Sequence, residues 1–419
     1  PQATLRHLME QMNVERTDVQ IWPYNVPETQ KNEEPAALTA RKCAARRWLA
    51  GEVMRPAATA DCWQKLSMDR ERRTALEQSL AQIMRFECDT AQEEARLIAL
   101  LLRETLETPG RTAALVTPDR TLARRVTTTC QRWGITLDDS GGQPLGETPL
   151  GSFLRLTLQT VMSDIRPGVL AALLKHKNCR LGRHKQDLTE LVDRLETITL
   201  RGPTIGSGWP GLLQKATDND ADTDFLNELK DLFSPLQTLC QGTSQPFTLL
   251  LDAHITLIES LAAGPDRNRD ESLWQGDEGE ISAVFLTSLR EQGDILPAVS
   301  GQDYLDILEQ LMRTVNVRPS YGTHPRLFIL GQLEARLLQT DLVIMAGLNE
   351  GTWPPEPDTD PWMSRPMRQD FGLPAPERSI GLAAHDFVQG FCNPHVILTR
   401  ARRVDGTPTV PARWLQRLD

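Results

Sequence analysis

Two rhythms of apolar residues alternate along this chain. Short uninterrupted apolar runs occur in TAALVTP (112–118), FIL (328–330), DLVIMAG (341–347) and around 395–399. Runs of this kind suit strands of a parallel sheet that is buried on both faces. Helical spacing governs ATLRHLMEQM (3–12), RRTALEQSLAQIM (72–84), TAQEEARLIALLLRETLE (90–107), DRTLARRVTTTCQRWG (119–134) and QLEARLLQ (332–339). Thr90 followed by Glu93 is a capping-box pattern, and Pro109-Gly110 stops the helix that it opens. ITLDD (135–139) predicts a further short strand, so 112–139 reads as a βαβ-like opening of an α/β domain.

From about 150 to 320 the strand signal fades into helical segments broken by GPTIGSGWPG (202–211), the acidic DNDADTD (218–224) and GPDRNRD (264–270). A sheet that begins, pauses and resumes implies an inserted helical domain. After the run at 341–347, Gly347, Asn349 and Gly351 permit a sharply turned loop, which Trp353-Pro354-Pro355 ends. In α/β proteins, loops at the carboxyl ends of strands are where ligands bind.

The 419 residues exceed one ordinary core and predict two or three domains. No apolar run approaches the roughly 18 residues of a membrane span, and no signal-peptide pattern opens the chain, which predicts a cytoplasmic location. Seven scattered cysteines without a CxxC pair argue against a disulfide framework and against a site of neighbouring thiolate ligands. The net charge of −10 opposes general nucleic-acid binding, so any DNA contact must be local. Basic clusters do occur: Arg41, Lys42, Arg46 and Arg47; Arg120, Arg124 and Arg125; and Lys175 to Lys185. Between Arg365 and Arg417, eight arginines face only Asp370, Glu377, Asp386 and Asp405.

The loop at 347–355 and its distant companion ERSIGLAAHDFVQGFCNPHVILTRARR (377–403) resemble the fifth and sixth motifs of superfamily-1 helicases. The wording VTPDRTLARRV (116–126), DDSGGQPLGETPLGSFLRL (138–156), LLKHKNCRLGR (173–183), HPRLFILGQLEARL (324–337) and LNEGTWP (348–354) is similar to one family, in order along nearly the whole chain. That family is the AddB subunit of the alphaproteobacterial AddAB helicase–nuclease, which acts in double-strand-break repair and recombination. The resemblance implies an α/β fold: a RecA-like parallel-sheet domain carrying a large, mostly α-helical inserted domain, with a helical N-terminal segment. It divides the chain into a helical segment ending a first helicase-like domain (1–110), the first part of a second RecA-like domain (111–150), the inserted helical subdomain (151–320), and the remainder of the RecA-like domain (321–419). It also implies a longer protein at both ends, with the P-loop region upstream of Pro1 and the nuclease domain, with its iron–sulfur cysteines, downstream of Asp419. The implied partners are an AddA-type helicase–nuclease subunit and single-stranded or unwinding DNA. ATP with Mg²⁺ and an iron–sulfur cluster would belong to the full-length protein, with none held by this chain.

The chain has no Gly-Lys pair and therefore no GxxxxGK[ST] loop, which predicts no ATP hydrolysis by this chain alone. The resemblance places Arg400, in LTRARR, where active helicases aim an arginine at the γ-phosphate. The competing reading is a basic strand end or an arginine kept for structure. Arg120, in VTPDR, matches the fourth motif's arginine, while Pro118 and Asp119 also read as a helix-capping turn beside Thr117. Trp362, Arg365, Arg368 and Arg402 combine an aromatic face with guanidinium groups, as single-strand channels do, against a reading as core aromatics and solvated arginines. Trp353 is assigned to the core. His176, Cys179 and His184 sit in a basic, glycine-broken stretch with no fourth ligand, so a metal site is rejected. In that stretch Lys177 and Asn178 stand where the family pattern LLKHP places a proline and then an apolar residue, so the local turn stays open. His324, His385 and Asp386 are joined to no nucleophile or carboxylate cluster, and no catalytic residue is assigned.

Overall fold

The structure is a computed structural model. It describes residues 2–19, 46–55, 59, 61–63, 77, 79–80, 83–202, 206, 208–219, 223–265, 273–318, 323–336, 338–357 and 360–419. Arg41, Lys42, most of 72–82, and parts of the 202–211, 218–224 and 264–270 breaks lie outside the described residues. The chain divides into two compact units, Pro1–Gly141 with Gly322–Asp419, and Gly142–Tyr321.

In the first unit, helix α1 (Gln2–Gln11) and a helical turn at 46–54 precede β1 (Ile83–Cys88). Then come α2 (Ala91–Thr105), β2 (Ala113–Val116), α3 (Arg120–Gln131) and β3 (Asp138–Asp139). Thr90 caps α2 by accepting from the Glu93 backbone N–H, but the Glu93 carboxylate accepts from the Asp89 N–H, one residue before the cap, so only the Thr90 half of the expected capping box is formed.

The second unit contains a short antiparallel ladder of β4 (Gln143–Pro144) and β5 (Asn316–Val317). Its helices are α4 (Pro149–Met162), α5 (Pro167–Leu174), α6 (Lys185–Leu195), α7 (Gly208–Asp218), α8 (Thr223–Gln241), α9 (Phe247–Ala262), α10 (Gly276–Gln292) and α11 (Gly301–Met312). They enclose their own core, with Phe153, Phe233, Phe247, Leu250 and Tyr304 fully buried. Each such side chain contributes about 1.5–3 kcal/mol of transfer free energy. Within this core His254 bonds Tyr304 Oη through Nδ1 and the Leu154 carbonyl through Nε2, each at 3.1 Å. Burial pushes its pKa down to about 4.

The first unit resumes with β6 (Leu327–Leu330), β7 (Leu342–Met345), α12 (Arg365–Asp370), α13 (Arg378–Phe391) and β8 (Val396–Ala401). A small hairpin of β9 (Arg403–Val404) and β10 (Thr407–Pro408) follows, and then α14 (Arg413–Gln416). The six-stranded sheet has the order β1-β8-β7-β2-β6-β3, and every pairing in it is parallel. The predicted strands near 112–117, 327–330, 341–346 and 395–399 therefore share one sheet. Val116, Ile344 and Leu398 show why consecutive apolar residues form these strands: β2, β7 and β8 are buried on both faces. Ile98, Leu102, Leu122 and Val126 of α2 and α3 cover one face, and Phe387 and Phe391 of α13 cover the other.

Two expectations are corrected. In the segment 332–339, read as helical, residues 332–336 form turns and not a regular helix. Ala335 N–H bonds the Gly331 carbonyl and Arg336 N–H bonds the Leu333 carbonyl, closing one helical turn. Arg336 is then drawn into a bidentate pair with buried Asp386 of α13, at 2.6 and 3.2 Å. Beyond it, Asp341 is held against Thr112. One turn lacks the cooperative length that would sustain a helix against these tertiary ties. The second correction concerns 1–110, read as helical: its residues 83–88 form β1, an edge strand of the same sheet as β2. The polar Arg85 and Glu87 disguise it, because as edge-strand residues they are only partly buried.

Candidate functional site at the carboxyl ends of the strands

Strands β2 and β7 are neighbours, yet the chain leaves them toward opposite faces of the sheet, to α3 from β2 and ultimately to α13 from β7. This makes the loops 117–119 and 346–353 the walls of a topological switch point, the usual ligand crevice of an open parallel sheet. Thr117 is fully buried and its Oγ1 accepts from the Asp119 N–H at 3.1 Å. Asp119 Oδ1 caps α3, accepting from Thr121 and Leu122 N–H groups, which fulfils the capping reading.

Gly347 crosses this point with φ +69°, and a Cβ there would meet Thr117 Oγ1 at 3.4 Å and Leu122 at 3.5 Å. The positive φ, more than the space, requires glycine. The Gly347 N–H donates to Glu94 Oε1 at 2.9 Å, and the same oxygen accepts from Thr399 Oγ1 at 2.7 Å. Glu94 is 1% exposed. Burial raises its pKa and outweighs the hydrogen bonds from Thr399 and Gly347; Asp119 adds to the rise and Arg400 opposes it. The rest of the loop is pinned from within. Trp353 is fully buried and its Nε1 donates to the Ala346 carbonyl at 3.1 Å, in agreement with its assignment to the core.

Arg400 lies in β8 in register with Glu87 of β1 and is 4% exposed. Its Nε donates to Asn349 Oδ1 at 3.0 Å and its Nη1 to Glu87 Oε2 at 3.1 Å. Nη2 bonds both the Thr409 carbonyl and its hydroxyl at 3.2 Å. The guanidinium is thus occupied on all three nitrogens by the strand beside it, the 346–353 loop and the segment after β10. Arg402, 59% exposed at its side chain, shares Glu87 and also approaches Asp89. Burial alone would raise the Glu87 pKa, but hydrogen bonds from Arg85 and Arg402 and the charges of Arg85 and Arg400 hold it below the usual carboxylate range.

Arg120 is the first residue of α3 and pairs with Asp139 at 2.6 Å, half exposed at the ends of β2 and β3. The Gly141 backbone lies so close to this guanidinium that a Cβ would stand 2.3 Å from Cζ. Asp360 Oδ1 accepts from the Trp362 N–H, while its Oδ2 takes Arg368 Nη1 at 2.8 Å. Arg368 also donates to the Pro374 carbonyl, and Arg365 pairs with Glu377 at 2.7 Å. The Trp362 ring is left 87% exposed. Arg400 and Arg402 are thus brought together through Glu87, and Trp362 and Arg368 through Asp360. Each of the five candidate arginines carries a carboxylate partner, so the free positive strip that the local arginine density suggested is largely neutralised within the chain.

Among the described residues no group of three His, Cys, Asp or Glu side chains is placed to hold a metal ion. His176 stacks on Phe153, its Nε2 lies 3.1 Å from Ser152 Oγ and its Nδ1 accepts from the Asn178 N–H, which defines the turn that the sequence left open. Cys179 is buried and its thiol is pushed up to about 12. The described cysteines are free thiols, not paired in disulfides. The residues that sequence reasoning missed are Glu87, Glu94 and Thr399, which with the loop residue Asn349 and Arg400 tie α2, β1, β8 and the loop after β7 into one polar network.

No family model matches the chain. It is similar to an uncharacterized protein of Rickettsia felis, 23% identical over 336 residues, which is 80% of this chain and 35% of that protein. Uncharacterized proteins of Rickettsia conorii and Rickettsia typhi are each 22% identical, over 285 residues (67% of this chain, 31% of theirs) and 330 residues (78% and 34%) respectively. The chain spans about a third of the length of these relatives.

Proposed function

We propose that this chain is the central, helicase-like scaffold region of an AddB-type subunit that acts in double-strand-break repair and recombination. In this reading it handles single-stranded DNA and docks an AddA-type partner without a complete active site of its own, in the cytoplasm. The observation that carries the reading is the parallel sheet itself: its β1–β3 and β6–β8 segments flank the helical unit 142–321 in sequence, as a RecA-like domain with an inserted domain would have it. The two helicase-motif-like segments also meet, with β7 beside β8 and Asn349 bonded to Arg400. No helix among the described residues is long and apolar enough to cross a membrane.

The alternative, in which Arg120 and Arg400 complete an ATP site whose P-loop lies upstream, is disfavoured by Arg400. An arginine finger must present its donors to a transferring phosphoryl group, whereas those of Arg400 are buried and occupied. ATP, Mg²⁺ and an iron–sulfur cluster remain part of the proposal for the longer protein and its partner. Co-expression of the full-length subunit with an AddA-type partner, followed by DNA-binding and ATPase assays on Arg400→Lys and Arg120→Ala, tests the reading. The scaffold account expects ATP turnover of the complex to survive both substitutions. A loss of turnover of a hundredfold or more with intact assembly would favour the nucleotide site.

A further inference from the structure

The opposite, amino-terminal ends of the same strands frame a second site that the helicase reading does not use. Thr112, Asp341 and His395 immediately precede β2, β7 and β8, and with the end of α13 they line a cavity of about 900 Å³. Asp341 Oδ2 is fixed by the Thr112 N–H at 2.8 Å and by the Thr112 hydroxyl at 2.9 Å. Those hydrogen bonds hold its carboxyl below the usual range, so it stays ionised near neutral pH. Three primary amides, Gln339, Gln389 and Asn393, stand on the walls. Asn393 spends its NH₂ on the Gln389 and Gly390 carbonyls, which leaves its own carbonyl oxygen as an acceptor.

Arg47 supplies the positive end. Its neighbour Arg46 is buried and donates to Ser79, Phe391 and Asn393 carbonyls, which anchors the 46–54 turn against the end of α13 and holds Arg47 at the cavity. Arg365, Arg368, Arg400 and Arg402 all have carboxylate partners, but Arg47 has none among the described residues.

One unpaired guanidinium, one fixed carboxylate and several amides are complementary to a ligand with a single negative end followed by alternating N–H and C=O groups. A polyanion would be repelled by Asp341, and a purely apolar ligand would strand the amides without partners. We propose that this cavity binds the carboxy-terminal end of an extended polypeptide, with the terminal carboxylate on Arg47, the adjacent main-chain N–H toward Asp341 and the following peptide groups on Gln339, Gln389 and Asn393. Terminal-carboxylate capture is a recurrent recognition mode, and the volume lies near the top of the roughly 300–1,000 Å³ range of ligand pockets, room for several residues.

The test is fluorescence anisotropy of the chain with a fluorescein-labelled random heptapeptide mixture ending in a free carboxylate, beside the same mixture amidated at its C-terminus. The free-acid mixture is expected to bind and the amidated one to bind about tenfold more weakly, the scale of one charge-assisted hydrogen-bonded pair. Arg47→Ala, an exposed substitution, and Gln389→Ala should each reproduce a loss for the free acid without changing the melting temperature, whereas Arg402→Ala should not. Equal binding of the two mixtures, no binding at millimolar peptide, or an unaffected Arg47→Ala would overturn the proposal. Displacement of the peptides by free amino acids or by a single-stranded oligonucleotide at equal concentration would also overturn it, assigning the cavity to another ligand class.

Discussion

Replacing Arg400 with alanine separates a structural arginine from a catalytic one. The substitution removes four hydrogen bonds and leaves Asn349 Oδ1 and the Thr409 carbonyl short of a donor in a site where Arg400 itself is only 4% exposed. Each neutral acceptor so stranded costs about 1 kcal/mol. Breaking a fully buried ion pair costs about 3–5 kcal/mol, but Glu87 is a quarter exposed and keeps Arg85 and Arg402, so only a fraction of that cost applies. The total is about 3 kcal/mol, or a urea-midpoint shift of about 1 M for a slope of about 3 kcal/mol/M. Because the chain has two compact units, the assay is urea-dependent hydrogen exchange read on peptides spanning β7 and β8 rather than a whole-chain signal. Arg402→Ala, which removes an exposed pairing with the same Glu87, should cost under about 1 kcal/mol. Exchange within about 0.5 kcal/mol of wild type for Arg400→Ala, together with lost ATP turnover in the assembled complex, would refute this reasoning and make Arg400 a poised finger.

Glu94→Gln keeps an oxygen for Gly347 and Thr399 and removes a buried charge, so it should be neutral or stabilising at neutral pH, whereas Glu94→Leu strands both donors and should cost about 2–4 kcal/mol in the same exchange assay. The raised Glu94 pKa means that the folded state binds the proton more tightly, so wild type should gain stability relative to Glu94→Gln as pH falls through that raised value toward 4.5. For His254 the sign is opposite. Between pH 6.5 and about 4 only the unfolded state takes the proton, so exchange protection of α9 should fall by up to about 3 kcal/mol across that window, and His254→Gln should flatten the slope. If single-stranded DNA is held by Arg365, Arg368, Arg402 and one further cation, a labelled oligonucleotide should bind with a log–log salt slope of roughly 3, about 0.7 per phosphate contact; a slope near zero would remove these arginines from the DNA path.

What the sequence made legible was whatever depended on neighbours in the chain. The runs at β2, β7 and β8, the Thr90 cap, the Asp119 cap and the core position of Trp353 all follow from local pattern, and each is present. Strand β1 escaped because its polar Arg85 and Glu87 break the apolar pattern, and Glu87 makes sense only opposite Arg400, 313 positions away. The periodicity of 332–339 is real, but Arg336 reaching Asp386 decides the backbone, which no local propensity encodes. Glu94 lies in the first turn of α2, where any acid favours the helix dipole. Its partners lie 253 and 305 residues on, so its burial in the switch-point network had no local signal. The candidate arginines were found as residues, but the carboxylates that neutralise them, such as Asp360 for Arg368, were visible only once the chain was folded.

The most direct test of the scaffold account is to purify the full-length protein with and without an AddA-type helicase–nuclease subunit and to measure complex mass by light scattering alongside DNA-stimulated ATP turnover. The account predicts a stoichiometric heterodimer in which turnover depends on the P-loop of the partner and is unaffected by Arg400→Lys in this chain. Absence of a complex, or DNA-stimulated ATP hydrolysis by this chain purified alone, would contradict it.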